Sequence, residues 1–262
     1  MLAFSAAIAV KLQALLLAPL LVLLWLSGRQ PARTVALIPL AYGLFALPMA
    51  LAGRPLEEIF GVYYQQAGTF AALCKGAPNI WAFGQMLVSY QRGMAIGLPA
   101  AAAVTGAAIL LLWRARSLRT PSGLLLAAAI LLVVVAYFTP KMHDRYFYLV
   151  DPVMVALVCR NHRFLVPMLL AQAASIFAYL PFILDGYVAR DALWGYTGWI
   201  AQTTGVNYAM LPLPGALAMG AALVLLVGAA WRRAAWGRIP TEADPADDPA
   251  GSLDREAIDR LS

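Results

Sequence analysis

Charge is scarce in this chain: 12% of its 262 residues are charged, against 62% hydrophobic. At a mean hydropathy of +0.74, a soluble fold of this length could not hide so much apolar surface, so the class is a polytopic membrane protein. Cysteine is scarcer still. Cys74 and Cys159 are the only two, and neither has a metal-ligand spacing. On the topology read below they lie about a bilayer apart, too far to bridge. Period-two alternation is missing from the long Ala/Leu/Val stretches, which excludes an outer-membrane barrel. The first residues lack a basic stretch and a cleavage site, so no removable signal is evident.

Acidic residues are thinnest where the chain is most apolar. Seven of the thirteen (Glu242, Asp244, Asp247, Asp248, Asp254, Glu256 and Asp259) follow Ile239, against Arg255 and Arg260. That tail carries −5, leaving +11 for the rest within an overall +6. The basic surplus sits in short loops between apolar runs, so it reads as topology signal and anionic-lipid contact and not as a nucleic-acid surface. Residues 1–239 form the expected membrane domain, and 240–262, acidic and Pro-Ala-Asp rich, an expected disordered cytoplasmic tail.

Seven spans are expected, near Leu2–Leu26, Val35–Ala52, Gly93–Trp113, Ser122–Phe138, Phe147–Val158, Phe164–Leu184 and Ala209–Trp231. Most approach the ~20 residues a bilayer requires; the fifth is short. Arginines at 29 and 33, at 114, 116 and 119, at 160 and 163, and at 232, 233 and 238 fall in alternate loops. The positive-inside rule makes those loops and the tail cytoplasmic. Gly53–Arg92, the Lys141–Arg145 turn and Asp185–Tyr208 then lie outside, where the chemistry is expected.

The fold class expected is therefore all-α: a polytopic helical bundle with an interfacial helix at Leu56–Gln66 in the first outer loop. There Ile59, Phe60, Val62 and Tyr63 fall broadly on one side. Pro78-Asn79-Ile80-Trp81 follows as a turn with an interfacial tryptophan. Gly93-x-x-x-Gly97 speaks for close packing and little more. In the first span, Lys11 at mid-membrane costs ~2.5–3.5 kcal/mol. The favoured reading breaks the helix there, with Met1–Val10 a stub and Ala14–Leu26 a short return helix, as though the chain began mid-protein.

One stretch concentrates chemistry. Lys141-Met142-His143-Asp144-Arg145-Tyr146 puts four ionisable groups between Tyr137-Phe138-Thr139-Pro140 and Phe147-Tyr148-Leu149-Val150. Such a cluster at a membrane boundary suits a lipid phosphate. Arg145 offers a planar fork, Lys141 a point charge, His143 a donor or proton carrier, and Asp144 an orienting partner. The other reading is that Lys and Arg beside aromatics anchor the chain at the interface; physics alone leaves both open. Asp151-Pro152 reads either as a polar kink or as a partner for Arg145 or His143. His162, among Arg160, Asn161 and Arg163, reads as a solvated loop residue. The aromatic loop Tyr187–Tyr208, with Trp194 and Trp199, reads as an interface lid, with sugar stacking the alternative.

The stretch Pro140 to Tyr148 resembles the Met-His-Glu-Arg-Tyr signature of bacterial integral-membrane glycosyltransferases similar to the GPI mannosyltransferase II family, within the GT-C superfamily. It is more loosely similar to the His-Glu-Lys motif of eukaryotic dolichyl-phosphate-glucose glucosyltransferases. Lys11-Leu12-Gln13-Ala14-Leu15-Leu16 with Pro19, and Ala77-Pro78-Asn79-Ile80-Trp81 closing the Gln65–Trp81 region, fit the same order over most of residues 1–184. The resemblance implies a GT-C-like fold in a bacterial inner membrane. It implies hexosyl or mannosyl transfer from a polyprenyl-phosphate donor on the extracytoplasmic face. Lys141, His143, Asp144, Arg145 and Tyr146, with Lys11 and Gln13, would bind the donor.

Two departures stand out: Asp144 replaces the usual glutamate, and nothing matches the family's acidic base in the first outer loop. Glu57 and Glu58 stand in another context. No catalytic residue is therefore assigned within the chain, and a truncated or split enzyme with a separate N-terminal catalytic half is expected. The alternative is a non-catalytic protein that binds lipid phosphate or partners such a half. No cofactor and no metal site are expected; the partners are membrane lipids and the donor itself.

Overall fold

The computed structural model describes residues 2–61, 71–115, 118, 120–188 and 211–236. Gln65, Arg116, Arg119, the aromatic loop from 189 to 208 and the acidic tail lie outside them. Among the described residues, five helical stretches are long and apolar enough to cross a membrane: Ala32–Leu51, Tyr90–Arg114, Pro121–Phe138, His162–Leu180 and Pro212–Ala235. They match five of the seven expected spans. The remaining two segments are helical but differently built.

The first of these breaks where the lysine's cost requires. Helix α1 (Leu2–Val10) ends, Lys11 turns extended at φ −151°, ψ 120° with its side chain exposed, and a 3-10 turn over Leu12–Leu17 leads into α2 (Ala18–Leu26). A straight helix would set the ammonium at the middle of a single long apolar run; the break puts it between two shorter ones. The second is α8 (Val150–Arg160), whose 11 residues reach only about 16 Å, half a bilayer core. Pro152 lies in its first turn, where a missing N–H costs nothing, so it starts the helix and does not kink it.

Helix α3 (Leu37–Leu51) packs on α1 and leaves Leu40, Leu44 and Leu51 exposed. Residues 56–61 form α4: Ile59 turns inward, its carbonyl accepting from Tyr42 Oη at 3.1 Å, while Glu57 and Glu58 stay exposed. Helix α5 (Trp81–Leu87) leads into α6 (Tyr90–Arg114). Helix α7 (Pro121–Phe138) begins as its sequence dictates, with Thr120 Oγ1 accepting from Gly123 N at 3.1 Å and Pro121 at the first position. It is apolar all round, and Leu126 to Val134 are buried without a break. Such a helix belongs at the centre of a bundle, and α7 contacts α2, α6, α8 and α10. Helices α9 (Leu165–Val188) and α10 (Pro212–Trp236) form the most extensive pair. Gly215 is what permits their approach, because a Cβ there would press on Ala174, Phe177 and Pro78.

Candidate functional site

At one end of the bundle, α6 begins, α7 ends and α8 begins, and residues 73–81 plug the space between them. The end of α7 explains why they must. The last carbonyls of a helix have no internal partner, and lipid offers none. Thr139 N–H takes the carbonyl of Val135 at 3.0 Å. Residues 79–81 supply the rest: Asn79 Nδ2 donates to Ala136 at 3.3 Å and to Thr139 at 3.4 Å, Ile80 N–H to Tyr137 at 3.3 Å, and Trp81 Nε1 to Phe138 at 2.7 Å. Asn79 is fully buried, and its Oδ1 accepts from Trp81 N–H at 3.1 Å.

The two glycines of Gly93-x-x-x-Gly97 receive this plug. A Cβ at Gly93 would overlap Leu73, and one at Gly97 would overlap the Trp81 ring and press on Pro140. The motif thus admits Leu73 from the loop before β1 and Trp81 from the first position of α5.

The plug then pairs with the cationic turn. Strand β1 (Cys74–Lys75) runs parallel to β2 (Met142–His143), matching Cys74 with Met142 and Lys75 with His143. Lys141 N–H donates to the Leu73 carbonyl at 2.6 Å. To enter this pairing Lys141 adopts φ +65°, the left-handed region, alone among described residues other than glycine. Its Nζ lies 3.2 Å from Tyr90 Oη and 5.7 Å from that ring's centroid. A 3-10 turn over Asp144–Phe147 follows, pinned by the fully buried Phe147 ring, worth roughly 1.5–3 kcal/mol.

Within the turn, Asp144 is 3% exposed and its Oδ1 touches His143 Nδ1. Among the described residues no other donor reaches this carboxylate. Burial, then the charges of Lys75 and Arg145, hold His143 below its usual pKa, so its ring is neutral at pH 7. A hydrogen carried on Nδ1 would face this carboxylate, which would fix the tautomer. Arg145 is exposed, Lys141 and Tyr146 are half-buried, and Lys75 is exposed. Cys74, one residue from Lys75, faces inward, donates Sγ–H to the Ala77 carbonyl at 3.2 Å, and is pushed up to about 11 by burial. Both cysteines are free.

The turn's own residues are thus brought together. Lys11 and Gln13 are not: no hydrogen bond or ion pair joins them to it among the described residues. Asp151 partners neither Arg145 nor His143. Its Oδ1 accepts from Ser175 Oγ at 2.8 Å and Gln172 Nε2 at 3.2 Å, and its Oδ2 faces Tyr179 Oη at 3.5 Å, tying the start of α8 to α9. Lys75 is the residue sequence reasoning missed. A single lysine in a short loop carries no motif, and only the strand pairing makes it a neighbour of His143. No three His, Cys, Asp or Glu side chains gather into a metal-binding group among the described residues.

Among the described residues the helices have the length and composition of a helical membrane protein, and a cationic turn packs on residues 73–81 at one end of the bundle. No protein-family model, no curated protein and no solved structure matches the chain.

Proposed function

We propose that this chain is a GT-C-type membrane glycosyltransferase, or the donor-holding part of one. It would take a hexose from a polyprenyl-phosphate carrier at the extracytoplasmic face of a bacterial inner membrane. One observation carries the reading. The cationic turn is fixed by strand pairing, a left-handed lysine and a buried carboxylate, whereas an interfacial anchor needs only loose, snorkelling side chains. The resemblance of Met142 to Tyr146 to the glycosyltransferase signature supplies the chemistry. As the sugar leaves, negative charge grows on the lipid phosphate; Arg145 and Lys141 meet it, His143 hydrogen-bonds beside them, and Asp144 holds His143 in place. Tyr146 lines the turn, and Lys11 and Gln13 join only if the donor spans to them. The seven-span count belongs to this reading, with the broken N-terminal segment and α8 crossing in part.

The resemblance implies an inverting transfer whose base comes from outside this chain. A second reading, a non-catalytic lipid-phosphate binder or a partner for a catalytic half, is favoured by Asp144 itself. The carboxylate nearest the cations is buried against His143, out of reach of an acceptor hydroxyl.

The test titrates undecaprenyl phosphate against protein in phosphatidylcholine nanodiscs, with Arg145→Ala alongside. Losing a bidentate charged contact should weaken binding roughly 10- to 100-fold. Equal, weak binding by both proteins would return the turn to the role of anchor. Hexose release from a mannosyl-phosphoryl lipid then separates enzyme from binder.

A further inference from the structure

Helix α3 ends where its sequence changes character. Gly53, at φ +86°, takes the left-handed position that closes many helices. Its N–H donates to the Ala50 carbonyl at 3.0 Å, and Arg54 N–H reaches back to Met49 at 3.1 Å. The chain reverses there and Pro55 opens α4, its carbonyl accepting from the Glu58 and Ile59 N–H groups at 3.1 and 3.2 Å. The reversal sets Arg54 and Glu58 just past the end of an apolar helix, the level at which hydrocarbon gives way to headgroups.

Both side chains line a cavity of about 130 Å³ between α1, α3 and α4. Buried Ala46 and Ile59, exposed Phe45 and Met49, and Ala9 from α1 make its walls apolar. Tyr42 Oη on the Ile59 carbonyl at 3.1 Å, and the Tyr42 and Phe60 rings 5.5 Å apart, tie α4 to α3 along one side. A space of this size compares with the ~150 Å³ cavity that takes a benzene ring, so it holds ~6 carbons of one chain and not a whole lipid. Arg54 Nε donates to Glu58 Oε2 at 3.3 Å, with both side chains about half exposed. An exposed pair of this kind adds little to stability. It leaves the two terminal guanidinium nitrogens and the second carboxylate oxygen without a partner among the described residues.

We propose that this cavity and the Arg54–Glu58 pair bind a zwitterionic phospholipid with an ethanolamine head. A stretch of one chain enters the cavity, the phosphate meets the guanidinium, and the ammonium meets the carboxylate. The charges of the pair decide the head. One cation beside one anion gives no net attraction to an anionic glycerol head, whose phosphate gains Arg54 but faces Glu58. A choline head carries the right charges but has no N–H to give the carboxylate oxygen. Ethanolamine supplies both partners. None of the lining residues belongs to the cationic turn, so the inference goes beyond the transfer reading and uses no step of it.

The experiment titrates dioleoyl lipids with ethanolamine, choline or glycerol heads against the purified full chain in detergent, read by native mass spectrometry. Wild type is compared with Arg54→Gln, Glu58→Gln and Ala9→Leu, each first shown by thermal melting to be folded. Wild type should bind the ethanolamine lipid about tenfold or more tightly than either of the others. Arg54→Gln and Glu58→Gln should each erase that preference, and Ala9→Leu, which fills the cavity, should weaken all three lipids. Should Ala9→Leu fail to fold, the two charge variants decide alone. Equal binding of the three heads by wild type, or a preference that survives both charge variants, would overturn the proposal. Undiminished binding by a folded Ala9→Leu would put the chain elsewhere and overturn it as well.

Discussion

Replacing Asn79 by alanine should unravel the end of α7. Asn79 is fully buried and makes three bonds, to the Ala136 and Thr139 carbonyls and from Trp81 N–H, at 3.1 to 3.4 Å. The substitution leaves all three groups without this partner, the Ala136 carbonyl buried and the other two part-buried. A buried polar group stranded in this way costs ~1–3 kcal/mol, and bonds of this length belong at the low end. The expected loss is about 2–4 kcal/mol, read as a lowered midpoint in SDS or thermal unfolding of the purified protein.

Asn79→Asp sharpens the test. It keeps an acceptor for Trp81 but loses both donors, and it brings a negative charge to the carbonyl end of a helix, where the macrodipole is already negative. The order of stability should be asparagine, alanine, aspartate. If Asn79→Ala unfolds within ~0.5 kcal/mol of wild type, below the usual cost of one buried bond, or if aspartate outperforms alanine, the capping argument is wrong.

Three further outcomes follow from the same end of the bundle. Gly97→Ala should cost ~1–3 kcal/mol by overlap with Trp81, whereas Gly106→Ala in the same helix, with open space around it, should be neutral or slightly stabilising; thermal unfolding of the pair decides. Lys141→Gly should unfold later than Lys141→Ala by ~1 kcal/mol, because glycine adopts the left-handed backbone without strain, yet both variants should bind undecaprenyl phosphate more weakly than wild type. His143 is held below its ordinary value of 6.5, so the unfolded chain takes up its proton more readily than the folded one. Its contribution to stability is therefore full above about 6.5 and is lost as pH falls from there towards the lower folded value. Unfolding midpoints measured from pH 7.5 downward should fall more steeply for wild type than for His143→Gln, and parallel curves would refute the assignment.

Hydropathy made five spans legible because burial in lipid is additive along a helix. Lys11 marked its own break, since one ammonium outweighs several leucines. Residues 141–146 stood out because charge beside a long apolar run is unusual enough to need a reason. What stayed hidden is non-local. Lys75 and His143 meet through a pairing two residues long, too short for any periodicity to register, between segments separated by the whole of α6 and α7. The glycines at 93 and 97 announced close packing, but their partners are Leu73 from a loop and Trp81 at the start of the short α5. Asp151 was visible as an expensive residue, while its partners on α9 depended on how two helices face each other. The length of α8 was legible in the run itself.

The order of synthesis gives the plug at 73–81 a second meaning. It leaves the ribosome before α7, so the Asn79 amide and the Trp81 indole are in place before the carbonyls they will bind exist. Likewise β1 is waiting when β2 emerges. The late-arriving helix is received by a template already laid down, and its end need never sit bare in lipid. A chain severed between α6 and α7 would separate template from guest. Two such fragments should survive when made together and be degraded when made apart, which pulse-chase labelling would record.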